Sequence, residues 1–229
     1  MARIEKRPTG EFHSGYGCVI LAAAIGVFGF IIWWAWYSLT TMDQEIAAIA
    51  QVEPAKLADV APQPGLAQKL ADFAQAATAG TAATLKLSAD ELNALIVTSP
   101  DAGSGTYADM LRVTGFIPEK AEITTACSLP MNTAKFWEAT KRHLIGEIDF
   151  SLEVTEAGLD ARVKTVRVPG KTIPDGMLKG MQMYGYLGPY QTHPEIGPIL
   201  VAIKSFTVEP DGIVLSTQPA PQDGTPPAP

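Results

Sequence analysis

The chain has 229 residues, 47% of them hydrophobic and 18% charged, which excludes a wholly disordered chain and a collagen-like fibre. Seventeen basic residues against 24 acidic ones leave a net charge of −7, the wrong balance for gripping phosphate, so no nucleic-acid partner is expected. Two cysteines can build neither a disulfide scaffold nor a cysteine-rich zinc site.

Charge is unevenly spread. Residues 12–42 contain no Asp, Glu, Lys or Arg. About 20 helical residues at ~1.5 Å each cross a hydrocarbon layer of ~30 Å, so this run predicts a transmembrane helix over residues 17–39. Trp33, Trp34, Trp36 and Tyr37 cluster at its far end, with Phe12 and Tyr16 at the near end. Rings with one polar edge favour the membrane interface, so Tyr16 and the Trp/Tyr cluster are the predicted interface residues. The three tryptophans argue against a buried core helix. A cleaved signal peptide would have a shorter apolar region of about 7–15 residues with a small-x-small site close behind, whereas Ala48-Ile-Ala50 lies well past Tyr37. Arg3, Lys6 and Arg7 precede the run and Asp43, Glu45 and Glu53 follow it. The positive-inside bias places residues 1–16 in the cytoplasm and everything after Met42 outside, in a bacterial cytoplasmic (inner) membrane crossed once.

Residues 40–64 read as a helical stalk broken near Pro54 and Pro62. Residues 65–217 form the outer domain, long enough for a single core. Residues 218–229 carry a proline-rich tail with no pattern that could fold it. Leu66, Leu70, Phe73 and Ala77 recur at helical spacing. Thr84-Leu-Lys-Leu87 predicts a strand, and Ser88-Ala-Asp-Glu91 a capping box opening a helix over residues 89–97, with Leu92, Leu95 and Ile96 on its buried side. Ser99-Pro100 ends that helix, and residues 101–106 are a Gly/Ser loop.

Strands follow over residues 111–114 and 121–129, turning at Pro118-Glu-Lys120. A short helix is predicted over residues 133–143. Residues 145–155 and 159–168 alternate about Glu156-Ala-Gly158, a hairpin signal. Residues 176–187 predict an amphipathic helix capped by Asp175, and residues 206–217 a final hairpin about Asp211-Gly212. Strands that arrive in hairpins rather than between long crossovers define an α+β domain with a curved antiparallel sheet packed by a few helices.

The order of these segments resembles the extracytoplasmic domain of YpmS-like bacterial single-pass membrane proteins. The matching pieces are Leu87-Ser-Ala-Asp-Glu-Leu-Asn-Ala-Leu-Ile96, a hairpin, Val166-Arg-Val-Pro-Gly-Lys-Thr-Ile-Pro-Asp-Gly-Met-Leu178 and Ile203-Lys-Ser-Phe-Thr-Val-Glu-Pro-Asp-Gly212. They cover most of residues 85–217, and residues 185–198 lie outside the pattern. The motifs are structural: a helix cap, a Gly-Lys turn and an Asp-Gly hairpin. The resemblance implies an anchored α+β domain and brings no catalytic residues.

A search for chemistry finds little. His143 and Glu147 could share a helix face, but no third metal ligand joins them, and His193-Pro-Glu195 reads as a turn. Gly103-Ser-Gly105 is not a nucleophile elbow, and Val168-Pro-Gly-Lys171 lacks the spacing of a phosphate-binding loop. No catalytic residue, metal site or cofactor is predicted. Cys127 reads as a small buried hydrophobe, with an intermolecular disulfide as the alternative. Met177, Met181 and Tyr184 share one face of the amphipathic helix, either as core cover or as the lining for an acyl chain or a partner helix. The leading reading is therefore a non-enzymatic envelope protein whose outer domain binds a lipid-like ligand or a membrane partner. The alternative is a scaffold module of an envelope assembly, positioned to hold an envelope protein partner. An apolar cavity beneath the sheet is the expectation of the first, and a solid core with a flat exposed apolar patch that of the second.

Overall fold

The structure, a computed structural model, describes residues 14–99, 107–131, 141–194 and 196–219. It opens with α1 (Ser14–Ile49), a single unbroken helix of 36 residues, about 54 Å long at ~1.5 Å per residue. The helix is long and apolar enough to cross a membrane. Its apolar side chains from Val19 to Leu39 stand clear of the domain. Thr40 and Thr41 turn their hydroxyls back onto the carbonyls of Trp36 and Tyr37. Trp33 stacks on Tyr37 at 5.8 Å, and Phe30 lies against Trp33 and Trp34. Tyr16 lies on the backbone of α1, while residues 1–13, including Phe12 and the basic flank, lie outside the described residues.

The helix does not stop at residue 39, and the stretch read as a stalk is built into the domain. Ile46, Ile49 and Ala50 are buried. The helix ends at Ile49, before Pro54, and Gln51 exchanges two backbone hydrogen bonds with His143, of 2.8 and 2.6 Å. Further on, the Ala55 N–H donates to the Ser128 hydroxyl and the Ala58 carbonyl accepts from Arg112. Residues 51–58 thus form a strap that meets three successive strands.

Beyond it come α2 (Leu66–Thr78), β1 (Thr84–Leu87), α3 (Ala89–Thr98), β2 (Leu111–Ile117), β3 (Glu122–Met131), β4 (Arg142–Thr155) and β5 (Gly158–Arg167). The chain continues through α4 (Asp175–Met183), α5 (Gly188–Gln191) and α6 (Gly197–Ala202) to the hairpin β6 (Ser205–Glu209) and β7 (Gly212–Ser216). The strands form two antiparallel sheets rather than one: β2-β3-β4-β5, and β1-β7-β6. The sheets do not close into a barrel. The free edge of β2 is finished by Asn93 of α3, whose side-chain amide bonds both the N–H and the carbonyl of Val113, as a neighbouring strand would.

Bulges decide which residues face inward. Val113 and Gly115 pair with the adjacent Thr125 and Thr124, so Thr114 is an extra residue on β2. Asp149 and Phe150 pair with Thr165 and Val163, so Lys164 is an extra residue on β5. Side chains alternate along a strand, so one inserted residue flips the face of all that follow. Leu159 and Val163 therefore face the core before the bulge, and Val166 and Val168 after it. Plain alternation over residues 159–168 would have turned the last two outward.

Two apolar clusters cover the inner face of the four-stranded sheet. Near the end of α1, Leu144, Ile148, Cys127 and Val166 pack with Ile49, and Met177 and Met181 of α4 close over them. Toward the other end, Ile123, Leu152 and Leu159 face the small sheet, α2, α3 and α6. The helix predicted over residues 133–143 lies mostly outside the described residues, but Arg142 and His143 belong to β4. Strand geometry separates residues four apart by ~13 Å, which takes His143 and Glu147 away from each other. Pro174, not Asp175, stands at the N-cap of α4, with no side-chain cap bond, and the helix ends at Met183 rather than continuing to Leu187.

Candidate functional site

The second half of the domain does not fill its own interior. A cavity of about 340 Å³ lies between the sheets. Its floor is the inner face of the large sheet, including Ile123, Phe150, Leu152 and Ala161. Leu85, Leu87, Ile213 and Leu215 of the small sheet form the opposite wall, and Leu92, Leu95 and Ile96 of α3 one side. Tyr186, Leu187 and Tyr190 at α5, with Ile199 and Leu200 of α6, complete the other side. Among the described residues, no Asp, Glu, Lys, Arg, His or Cys lines this space.

Local sequence explains why α3 presents a bare face. Its start is held by the full capping box: the Ser88 hydroxyl accepts from the Glu91 N–H, and the Glu91 carboxylate accepts from the Ser88 N–H at 2.9 Å. Glu91 also bonds Lys69 of α2 at 2.7 Å, so one carboxylate ties two helices together. Burial alone would raise the Glu91 pKa, but Lys69 and the Ser88 cap outweigh it and hold the carboxyl below its ordinary value. Leu92, Leu95 and Ile96 share the inward face, as their spacing predicts, yet they stay half-buried because they border space rather than packed atoms.

Three hydroxyls at the lining are satisfied locally. The Thr125 hydroxyl donates to the Ile148 carbonyl, and the Ser99 hydroxyl to the Leu95 carbonyl. The Tyr107 hydroxyl donates to the Tyr186 carbonyl at 3.3 Å, and the Tyr107 ring lies near those of Tyr186 and Tyr190. Burial pushes the Tyr186 phenol up to about 12 and raises Tyr107 as well, so both are neutral hydrogen-bonding groups at physiological pH. Phe150 meets Tyr186 edge-on at 5.0 Å, which fixes the aromatic wall between the cavity and the packed half of the core.

Asp160 sets the position of that wall. It is buried, and its carboxylate accepts from the N–H groups of Ala161 and Leu187 while lying 3.5 Å from the Arg162 guanidinium. Gly185 packs directly on this carboxylate, where any Cβ would collide with it. Tyr186 then donates its N–H to the Ala161 carbonyl. These contacts take residues 184–187 out of the helix and lay them along β5, which is why α4 ends early.

The three residues predicted to line a ligand site sit elsewhere. Met177 and Met181 are half-buried over the packed cluster near α1, and Tyr184 is exposed, with its ring edge-on to Tyr186 at 5.2 Å. None of them borders the 340 Å³ cavity. The wall of this cavity was visible in the sequence only as ordinary core leucines and isoleucines, because emptiness leaves no mark on residue type. Cys127 is 1% exposed, with burial pushing its thiol up to about 11. That is the small buried hydrophobe expected of it, and it leaves the thiol out of reach of a partner's cysteine. Glu195, like the Gly/Ser loop at residues 101–106, lies outside the described residues.

A second apolar space, of about 500 Å³, adjoins the first. It lies between residues 60–63, α2 and α3, and Leu70 and Leu95 border both spaces.

The molecule is thus a mixed helix-and-sheet domain with an apolar cavity, carried behind one long apolar helix. Comparison with protein-family models, curated proteins and solved structures finds no match.

Proposed function

We propose that this chain is a single-pass protein of a bacterial cytoplasmic membrane, its N-terminus in the cytoplasm and its domain outside, and that the domain binds the apolar part of a lipid without altering it chemically. The size and chemistry of the cavity carry this reading. Interiors normally pack at crystal density with few voids larger than a water. A space of about 340 Å³ lined almost wholly by apolar side chains is many times larger than such voids. Water is a poor occupant, because a buried water needs two to four polar partners and the Thr125, Ser99 and Tyr107 hydroxyls are already bonded to backbone carbonyls. An apolar chain fits, and the bilayer that α1 would enter is its nearest source. Among the described residues no charged group lines the cavity, which speaks for binding rather than for acid–base or nucleophilic chemistry on the bound chain. This is the kind of anchored, non-enzymatic protein that the resemblance to YpmS-like proteins implies.

The test uses the full chain in lipid nanodiscs and a fluorescent fatty acid. The probe should brighten with the wild type and be displaced by unlabelled fatty acid. Ala161→Phe, which places a ring in the cavity, should abolish the signal while leaving the protein folded. Equal binding by both proteins, or none by the wild type, would remove the cavity as a lipid site. Protease added to intact spheroplasts should digest the domain, and protection until lysis would reverse the proposed orientation.

A further inference from the structure

The second space has no task in the reading above, yet it shares two wall residues with the cavity. Leu70 projects from α2 and Leu95 from α3, and each borders both spaces. On the outer side of this partition, Val60 and Pro62 of the incoming chain, Leu66 and Ala67 of α2 and Ala94 and Val97 of α3 form an apolar groove. Its two polar residues are Gln63 and Thr98, and the Thr98 hydroxyl donates to the Ala94 carbonyl. Among the described residues, no charged side chain lines either space.

We propose that the groove is the outer compartment of one binding site, holding the part of an apolar chain that extends past Leu70 and Leu95 once the inner cavity is full. The inference rests on the lipid reading of the cavity and adds a ligand class to it: long, single apolar chains are preferred to short ones. Three observations support this occupant over a separate ligand. The two spaces share a wall made by the Leu70 and Leu95 side chains, which can change rotamer without moving backbone. The groove, like the cavity it adjoins, is lined mostly by apolar side chains, so a single apolar chain suits both. A lipid's charged end finds no partner in the cavity, and burying it unpaired is strongly unfavourable. The chain must therefore lead outward to a region where its head group meets water, and the groove lies on such a path.

Displacement of the fluorescent fatty acid by a homologous series of saturated fatty acids tests this in nanodiscs. For the wild type, affinity should keep rising into the long members, since two further buried methylenes are worth about tenfold. Ala67→Phe and Val97→Trp place bulk in the groove from exposed positions, so neither disturbs the core. Both should leave short members within about twofold of wild type and weaken long ones about tenfold. Ala161→Phe should weaken short and long alike. If the groove variants leave the long members unchanged, or weaken short and long equally, the groove is not an overhang compartment, although the cavity reading survives. If no fatty acid displaces the probe from the wild type, both readings fall together.

Discussion

Single side chains hold the frame around the cavity, and two of them can be tested directly. Ser88 accepts an N–H that the first turn of α3 would otherwise leave orphaned. Ser88→Ala should lower stability by about 1 kcal/mol, read as a shift in denaturant midpoint at constant slope. Asp149 lies buried on the outer face of the large sheet, bonded by Thr124 at 2.9 Å and by both ends of the Arg167 guanidinium. Burial alone would raise its pKa, but the Arg167 and Thr124 hydrogen bonds and the Arg167 charge more than reverse this and hold the carboxyl below its ordinary value. A folded pKa below the unfolded value of ~3.9 stabilises in full above about pH 5, and the contribution is lost as pH falls through the folded value. Asp149→Asn should therefore cost about 1.5–3 kcal/mol at pH 7, the range for hydrogen bonds to charged groups, and the difference from wild type should shrink below about pH 4. Urea denaturation across that pH range checks both the size and the sign.

Secondary elements are joined by devices that depend on one residue each. The Lys164 bulge returns Val166 and Val168 to the core side of β5. Deleting Lys164 would leave Val163 and Thr165 adjacent and opposite Phe150 and Asp149, a regular ladder with both valines still inward. The deletion should therefore still give a protease-resistant domain, and its failure to do so would show that the bulge itself is needed. A Lys164→Ala change, which keeps the extra residue, should be nearly silent by the same proteolysis. At the junction with α1, Gln51 and His143 exchange two backbone bonds. Gln51→Pro removes one donor, and hydrogen exchange should quicken in residues 50–58 while the strands remain protected. Unchanged exchange would show that the strap is held by Ser128 and Arg112 without the bridge.

Over the whole molecule, the inner face of one sheet serves two purposes: its α1 end is packed solid and its far end encloses space. The two halves should answer mutation in opposite ways. Met181→Ala removes apolar cover from the packed half and should lower stability by about 1–2 kcal/mol, less than a fully buried methionine because the side chain is half-exposed, with fatty-acid binding intact. Ala161→Phe fills space in the other half and should hold or raise the melting temperature of ligand-free protein while removing binding. Saturating fatty acid should stabilise the wild type by about 2.7 kcal/mol at a hundred times its dissociation constant, and Ala161→Phe not at all.

Much of this was readable along the chain, and the division has a physical basis. The apolar helix, the capping box at Ser88 and Glu91, the Pro118-Glu-Lys120 turn and the hairpins at Gly158 and Asp211-Gly212 depend on residues within a few positions of one another, so local patterns determined them. The α+β class followed from those hairpins. Only the tertiary structure decided the rest. Pairing of β1 with β7 joins segments more than a hundred residues apart, and no local preference specifies it. The end of α4 at Met183 depends on Asp160, a distant carboxylate that draws Gly185 and Leu187 to β5. Incorporation of residues 46–58 into the domain depends on Ser128, His143 and Arg112, which the sequence places far downstream. The cavity is the clearest case. Leu92, Leu95 and Leu152 carry the same apolar signal whether they meet another side chain or an open space, and that choice belongs to the spacing of the two sheets and the helices between them.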